Sequence, residues 1–319
     1  MTLRDAIDRY VAWRRNHGAK FETNAQILDQ FCREVGPETS CDEVSDAQIH
    51  VFLVGNGAYT GYRAAKYGVL DGFYRFAISR GHAAHSPLPM HKPRRPASVP
   101  PHIFTREELR RLFRAVNVSR VRAVQLDAAS FRMLLLLLYG AGLRRGEAQR
   151  LTMADVDLRN AVLTIRDTKF YKNRLVPAGP DLAKALRRYA ADRAKRPLPN
   201  GLASAFLANR DGSPLKTTTI DNAFRKLLRT AGVQPTDATC RTPSPHVLRH
   251  AFATHRLTEW YRAGADVQRL LPALSAFLGH ASPAGTQVYL SMTPELLREA
   301  SLRFEHYTDQ HRKEILDHD

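Results

Sequence analysis

Between residues 86 and 105 the chain runs SPLPMHKPRRPASVPPHIFT, six prolines with a basic cluster among them. Proline removes a backbone donor and drives the residue before it toward extended backbone, so no regular element runs through this stretch. The segments on its two sides must therefore bury separate cores. A length of 319 residues suits about two ordinary domains. Residues 1–86 and 105–319 are expected as those domains, with 87–104 as the linker.

Both halves carry helical patterning. Apolar residues recur at spacings of three and four in Ala6, Tyr10 and Trp13, and again in Ile27, Leu28, Phe31 and Val35, the period of one helix face. A last helix over 59–80 mixes basic and aromatic residues, among them Tyr62, Arg63, Lys66, Tyr67, Phe73 and Tyr74. In the second half, Thr105 with Glu108 forms a capping-box pattern, and an apolar helix over 131–139 ends at Gly140-Ala141-Gly142. Short β-like runs at 161–165 and 174–176 flank residues 167–173 and predict a small hairpin. From Asp181 onward the pattern is mostly helical. The expected fold class is mainly α with a small β-sheet, without internal repeats.

Lys and Arg number 48 against 31 Asp and Glu, a formal charge of +17 and an isoelectric point near 10.2. Such an excess points to a polyanion, with nucleic acid first. Arg63 and Lys66 in the last N-terminal helix, and Lys92, Arg94 and Arg95 in the linker, are candidate phosphate contacts; a solvated face is their plain alternative. A membrane partner is not expected: the opening MTLRDAIDRYVAWRR carries no signal or anchor pattern, and the longest apolar stretch, 133–143, is too short to span a bilayer. Cys32, Cys41 and Cys240 show neither zinc-ribbon spacing nor an even count, which fits buried thiols in a reducing cytoplasm.

Four stretches hold the chemistry: YGAGLRRGE at 139–147, TKFYKNRLVP at 168–177, PHVLRH at 245–250 and LGHASPAGTQVYL at 278–290. Guanidinium forks match two nonbridging phosphate oxygens and stay charged. A phenol ordinarily ionises near 10, so Tyr289 needs surrounding positive charge and a base to act as nucleophile. Arg144 comes just after the glycine turn and is expected at a helix start, where backbone N–H groups also favour an anion. His246 and Arg249 lie one helical turn apart and so share a face. A metal cluster of His246, His250, His255 and His280 is disfavoured, because no acid stands as in His-Glu-x-x-His and the arginines repel a divalent cation. Attack on a phosphodiester needs charge neutralisation, a nucleophile and an acid for the leaving oxygen, and this inventory supplies all three without metal or nucleotide cofactor.

Each short motif is weak alone, but together and in this order they resemble the tyrosine recombinase, or phage-type integrase, family from about Thr105 to the tail. The resemblance implies six catalytic residues: Arg144 in the Gly-Leu-Arg turn, Lys169 in the hairpin, His246 and Arg249 in His-x-x-Arg, His280 after Leu-Gly, and Tyr289. It implies that Tyr289 forms a 3′-phosphotyrosine, that Lys169 protonates the departing 5′ oxygen, and that His280 donates to a nonbridging oxygen. Glu147 would orient an arginine and His250 would brace the site, while Lys172 competes with Lys169 for the acid role and is otherwise a phosphate contact or an exposed turn residue. Arg145 stands where the family commonly has an apolar residue, and residues 264–278 depart from the usual connection. The implied architecture is a helical core-binding domain and a mixed α/β catalytic domain forming a C-shaped clamp on double-stranded DNA. Four subunits would assemble on two duplexes, with a tail helix opened by Thr293-Pro294-Glu295, and the role would be integration or transposition of a mobile element. Whether other recombinases act with this chain stays open. Two alternatives remain: a type IB topoisomerase, disfavoured by the compact layout, and a catalytically silent DNA-binding accessory subunit.

Overall fold

A computed structural model of the chain describes residues 1–55, 61–94, 101–118, 126–166, 173–234, 242–280, 282, 284–291, 296–302 and 304–305. The chain divides into two compact units, Met1–Ser98 and Val99–Asp319. The division falls inside the proline-rich stretch, and each end of that stretch docks on its own unit. Leu88 packs against the first core and Tyr67 Oη donates to Pro89 O at 2.9 Å. On the other side, Phe104 is fully buried in the second core.

The described residues of the first unit form four helices: α1 (Leu3–Asn16), α2 (Glu22–Val35), α3 (Asp46–Val54) and α4 (Gly61–Ser79). Thr2 caps α1 by accepting from Asp5 N, and Ser45 with Gln48 forms a capping box on α3. The inner stripes of these helices, including Ile7, Tyr10, Leu28, Phe31, Phe52, Leu70 and Phe73, close into one core.

Lys66 corrects an expectation. It is buried, its ammonium donates to Phe52 O at 2.8 Å, and it sits 4.1 Å from the Phe52 ring centroid. The last carbonyls of a helix lack intrahelical partners and carry the negative end of its dipole. Lys66 satisfies one of them in the final turn of α3, so its charge serves the fold rather than a phosphate. Lys92 and Arg94 are exposed, Arg63 is half-buried, and Arg95 lies outside the described residues.

The second unit is built on α6 (Ala128–Gly140), whose Phe131, Leu134, Leu135, Leu137 and Leu138 are buried. Packed around it are α5 (Arg106–Val118), α7 (Arg145–Arg150), α8 (Pro180–Arg193) and α10 (Val247–Arg262), with α9 (Thr217–Thr230) against α5. The predicted capping box is formed: Thr105 Oγ1 accepts from Glu108 N and Glu108 accepts from Thr105 N. The predicted hairpin is β2 (Val162–Ile165) with β3 (Arg174–Pro177), antiparallel with Leu163 opposite Val176 and Ile165 opposite Arg174. A third strand, β1 (Val156–Asp157), adds to β2; two residues gave no alternation to detect. Residues 264–278, expected as an altered connection, form α11 (Val267–Leu278), capped by Asp266 and ended by Gly279 in the left-handed region. None of the helices among the described residues is long and apolar enough to cross a membrane.

The turn from α6 to α7 requires glycine at 142. Its φ is +58°, and a Cβ there would lie 2.6 Å from Phe252 Cδ1 and 2.9 Å from Leu278 Cδ2, so an alanine meets both backbone strain and overpacking. At Gly146, inside α7, a Cβ meets only the far end of Arg150, at 3.2 Å. Gly142→Ala is expected to destabilise the unit by about 1–3 kcal/mol, whereas Gly146→Ala stabilises it by about 0.5 kcal/mol. Urea denaturation midpoints moving in the same direction for the two variants would contradict this account.

Candidate active site

Five segments meet at the C-terminal end of α11. They bring Arg144 at the N-cap of α7, Arg174 at the start of β3, His246, Arg249 and His250 at the start of α10, His280 just past Gly279, and Tyr289 in the 3-10 turn Val288–Ser291. Of the six residues that the motifs single out, five are gathered here. Lys169 and Lys172 lie outside the described residues.

The centre is Glu147, buried three residues into α7. Its carboxylate accepts from Arg144 N at 2.9 Å and Arg144 Nη1 at 2.8 Å. It also takes both arms of Arg174, Nη1 at 3.0 Å and Nη2 at 2.8 Å. Arg249 Nη1 stands 4.0 Å away. Burial alone would raise this carboxyl, but the hydrogen bonds and charge of Arg174, followed by those of Arg144, hold it down at about 2.

Two arginines then diverge in exposure. Arg144 Nη2 donates to Gly279 O at 2.7 Å, and a third of its side chain, 34%, faces outward. Arg249 is 1% exposed; Nη1 donates to Gly142 O at 2.6 Å and Nη2 to Leu278 O at 2.7 Å and His280 Nε2 at 3.0 Å. Burial and the charge of Arg144 lower the Arg249 guanidinium to about 10, still protonated at neutral pH. Arg145, by contrast, is turned away into an ion pair with Asp221 of α9.

His280 Nε2 faces a guanidinium N–H and must present its lone pair there, so the ring proton sits on Nδ1 and donates to Thr286 Oγ1 at 2.7 Å. The expected donation from His280 to a phosphate oxygen needs the opposite tautomer, with the Thr286 hydroxyl donating to Nδ1. His246 is exposed, and its ring meets that of His250 edge-on at 4.7 Å. His255 is drawn off to Tyr139, its Nδ1 at 3.1 Å from the phenol oxygen. Tyr289 is 3% exposed in the apolar cluster of Leu257, Leu274, Leu278 and Leu296. Its ring stacks at 5.9 Å on His280 and lies 5.4 Å from His250.

Desolvation lowers His250 and His280 to about 4, with neighbouring histidine or arginine charge adding to it, and it lowers His246 with help from Arg249. All three imidazoles are therefore neutral at neutral pH, able to accept a proton or to donate a single one.

Arg174 is the residue that the motifs did not single out. The register offered a signal: it faces Ile165 and shares the inward parity of Val176, so a charge at that position demands a buried partner.

Arginine forks, neutral imidazoles and a tyrosine around one point are the inventory that phosphodiester transfer to a tyrosine calls for. Comparison with known proteins points the same way. The model of the phage integrase family matches residues 102–295. The chain is 33% identical over 307 residues, 95% of its own length and 97% of the other's, to the provisionally named integrase/recombinase y4rB of Sinorhizobium fredii. It is 30% identical to the tyrosine recombinase XerC of Chlorobaculum parvum, covering 81% of this chain and 77% of the relative. In fold it is similar to the Tn1549 transposon integrase solved with circular intermediate DNA, with a TM-score of 0.67 at 19% identity over 94% of this chain and 99% of that one. The chain belongs to the phage integrase family and is a site-specific recombinase of the tyrosine class.

Acid should act on this site in two stages. The unfolded chain protonates its histidines near 6.5, while His250 and His280 resist protonation down to about 4, so the unfolded state binds more protons in that window and stability falls as the pH falls. Glu147, depressed from 4.5 to about 2, contributes stability that is present above 4.5 and is lost as the pH falls through 2. Urea midpoints measured from pH 7 to 3 should decline throughout, and His250→Phe should flatten the limb between 6.5 and 4; an unchanged limb in that variant would refute the assignment.

Proposed function

We propose that this recombinase cleaves and rejoins double-stranded DNA through Tyr289. The phenol oxygen attacks the scissile phosphorus, the bond to the 5′ oxygen breaks, and a 3′-phosphotyrosyl link remains beside a free 5′ hydroxyl. His246, neutral and exposed beside the arginines, takes the phenol proton; Lys169 gives one to the leaving oxygen. Arg144 and Arg249 neutralise the phosphorane, and His280 contributes one hydrogen bond. A 5′ hydroxyl from a second duplex reverses the attack, so the bond energy is retained and the steps call for no nucleotide. The buried phenol turns outward to reach the phosphate.

The observation that carries this reading is the convergence of Arg144, Arg249, His280 and Tyr289, from four separate segments, on the end of α11. A silent accessory protein has no need of neutral imidazoles beside two arginines and a phenol packed onto two of those imidazoles, and strand transfer between duplexes is favoured over resealing by the recombinase relatives. Residues 1–86 serve as the core-binding domain and 105–319 as the catalytic one. Lys92 and Arg94, exposed beyond the end of α4, and Arg63, Arg95 and Lys172 contribute phosphate contacts. The Tn1549 integrase, solved with circular intermediate DNA, supports a role in moving a mobile element. Four copies on two duplexes would complete the exchange; Leu296 and Glu299 hold the tail on its own unit, and its exposed Leu297, Leu302 and Phe304 are what it would offer a neighbouring subunit. A protein that works on DNA in this way would lie with the nucleoid in the cytoplasm.

The test is a duplex substrate nicked beside the cleavage point, on which the covalent adduct accumulates and its peptide is mapped. Tyr289 should carry the DNA, and Tyr289→Phe should give no adduct while retaining DNA binding. Attachment to another residue would overturn the assignment.

A further inference from the structure

Three consecutive carbonyls at the C-terminal end of α11 each accept from a different arginine. Phe277 O takes Arg174 Nε at 3.0 Å, Leu278 O takes Arg249 Nη2 at 2.7 Å, and Gly279 O takes Arg144 Nη2 at 2.7 Å. These carbonyls lack partners in the helix and carry the negative end of its dipole, so guanidinium groups are held there by both hydrogen bonds and charge. The next residue in the chain is His280. One helix end thus sets the spacing of Arg144, Arg249 and His280 together.

Arg174 differs from the other two. Its side chain is 12% exposed, and three of its donors are taken up, two by Glu147 and one by Phe277 O. It therefore does not present itself to a substrate. It bridges the carboxylate that orients Arg144 to the helix end that orients Arg249 and His280. Gly279 reinforces this: at φ +67° it leaves room in which a Cβ would lie 2.7 Å from Arg174 Nη1 and 2.9 Å from its Cζ. Among the described residues, Arg144, Arg174 and Arg249 stand against the one carboxylate of Glu147, so the cluster keeps net positive charge for an incoming phosphate. If Arg174 were lost, the Glu147 oxygens that it occupies would be free to draw in Arg249, now 4.0 Å away, and to hold Arg144 more tightly than its present single side-chain bond does, and both groups are meant for that phosphate.

We propose that Arg174 is a positioning residue for phosphate-charge neutralisation: it occupies Glu147 and the end of α11 so that Arg144 and Arg249 stay aimed at the scissile phosphate. This rests on the phosphotyrosine reading of the site. A lysine at 174 keeps the charge but has neither the bidentate fork nor the Nε arm.

The test compares two nicked duplexes, one with an ordinary scissile phosphate and one with a methylphosphonate, whose missing nonbridging charge needs no neutralising. Arg174→Lys should slow adduct formation on the phosphate by about 10- to 100-fold, within the range for losing a supporting partner of a site, while DNA binding holds. On the methylphosphonate the deficit should shrink to a few-fold. The same deficit on both substrates, or none on the phosphate, overturns the proposal. Should Arg174→Lys fold poorly, Arg174→Ala with added guanidinium ion replaces it: restored cleavage of the phosphate substrate supports the role, and stable, DNA-binding protein without restoration opposes it. Failure of the unaltered chain to form an adduct on the phosphate substrate would instead sink the phosphotyrosine reading, and this inference with it.

Discussion

A carboxylate buried among guanidinium groups organises the second unit. Glu147 is 3% exposed, and an unpaired charge at that depth would cost several kcal/mol. It is tolerated because two arginines meet it with hydrogen bonds, one of them bidentate. The dependence runs both ways: Arg144 and Arg174 are held on one negative charge, and removing it leaves their positive charges without a carboxylate. The pairing also joins segments remote in sequence. Arg144 and Glu147 belong to the start of α7 and Arg174 to β3, so the hairpin foot is fixed to the Gly-Leu-Arg turn by hydrogen bonds of 3.0 and 2.8 Å.

The end of α11 is the second anchor, and glycine at two positions makes it accessible. Gly142 lets Phe252 and Leu278 close over the turn while its carbonyl takes Arg249 Nη1. Gly279 ends the helix in the left-handed region and leaves the space that Arg174 fills. The glycines of the Gly-Leu-Arg and Leu-Gly-His motifs therefore act through shape, and the arginine and histidine beside them through charge. A motif that looks like a charged residue with neutral spacers is in fact a charged residue with its clearance.

Much of this was legible in the sequence because the chemistry is local to short motifs. Arg144, Glu147, His246, Arg249, His280 and Tyr289 each sit beside glycine, proline or another site residue at a fixed spacing, and the proline stretch marked the division of the chain. Other features depend on which neighbour a face meets. Lys66 stands among basic and aromatic residues on α4 like any phosphate contact, and only the approach of the α3 carboxyl end turns it inward. Arg174 looked like the polar start of a short strand. Its inward parity became meaningful only once Leu163 and Val176 were paired on the core side. The tautomer of His280 was equally beyond the sequence, since it is set by Arg249 facing Nε2.

The exposures of the three arginines reflect what each carries. Arg174, with three donors committed to protein acceptors, stands behind the site. Arg249 also has three of its five donors on protein acceptors, Gly142 O, Leu278 O and His280 Nε2, leaving two for a phosphate. Among the described residues, Arg144 has two on the protein and is the most exposed of the three. An anion approaching from outside meets Arg144 first and reaches Arg249 only through donors that the carbonyls do not hold. Because Arg249 shares Nη2 with His280, any shift of that guanidinium toward a phosphate also releases the imidazole nitrogen beside Tyr289. On the phosphotyrosine reading, binding of a phosphate and release of His280 Nε2 would therefore be linked by that single hydrogen bond.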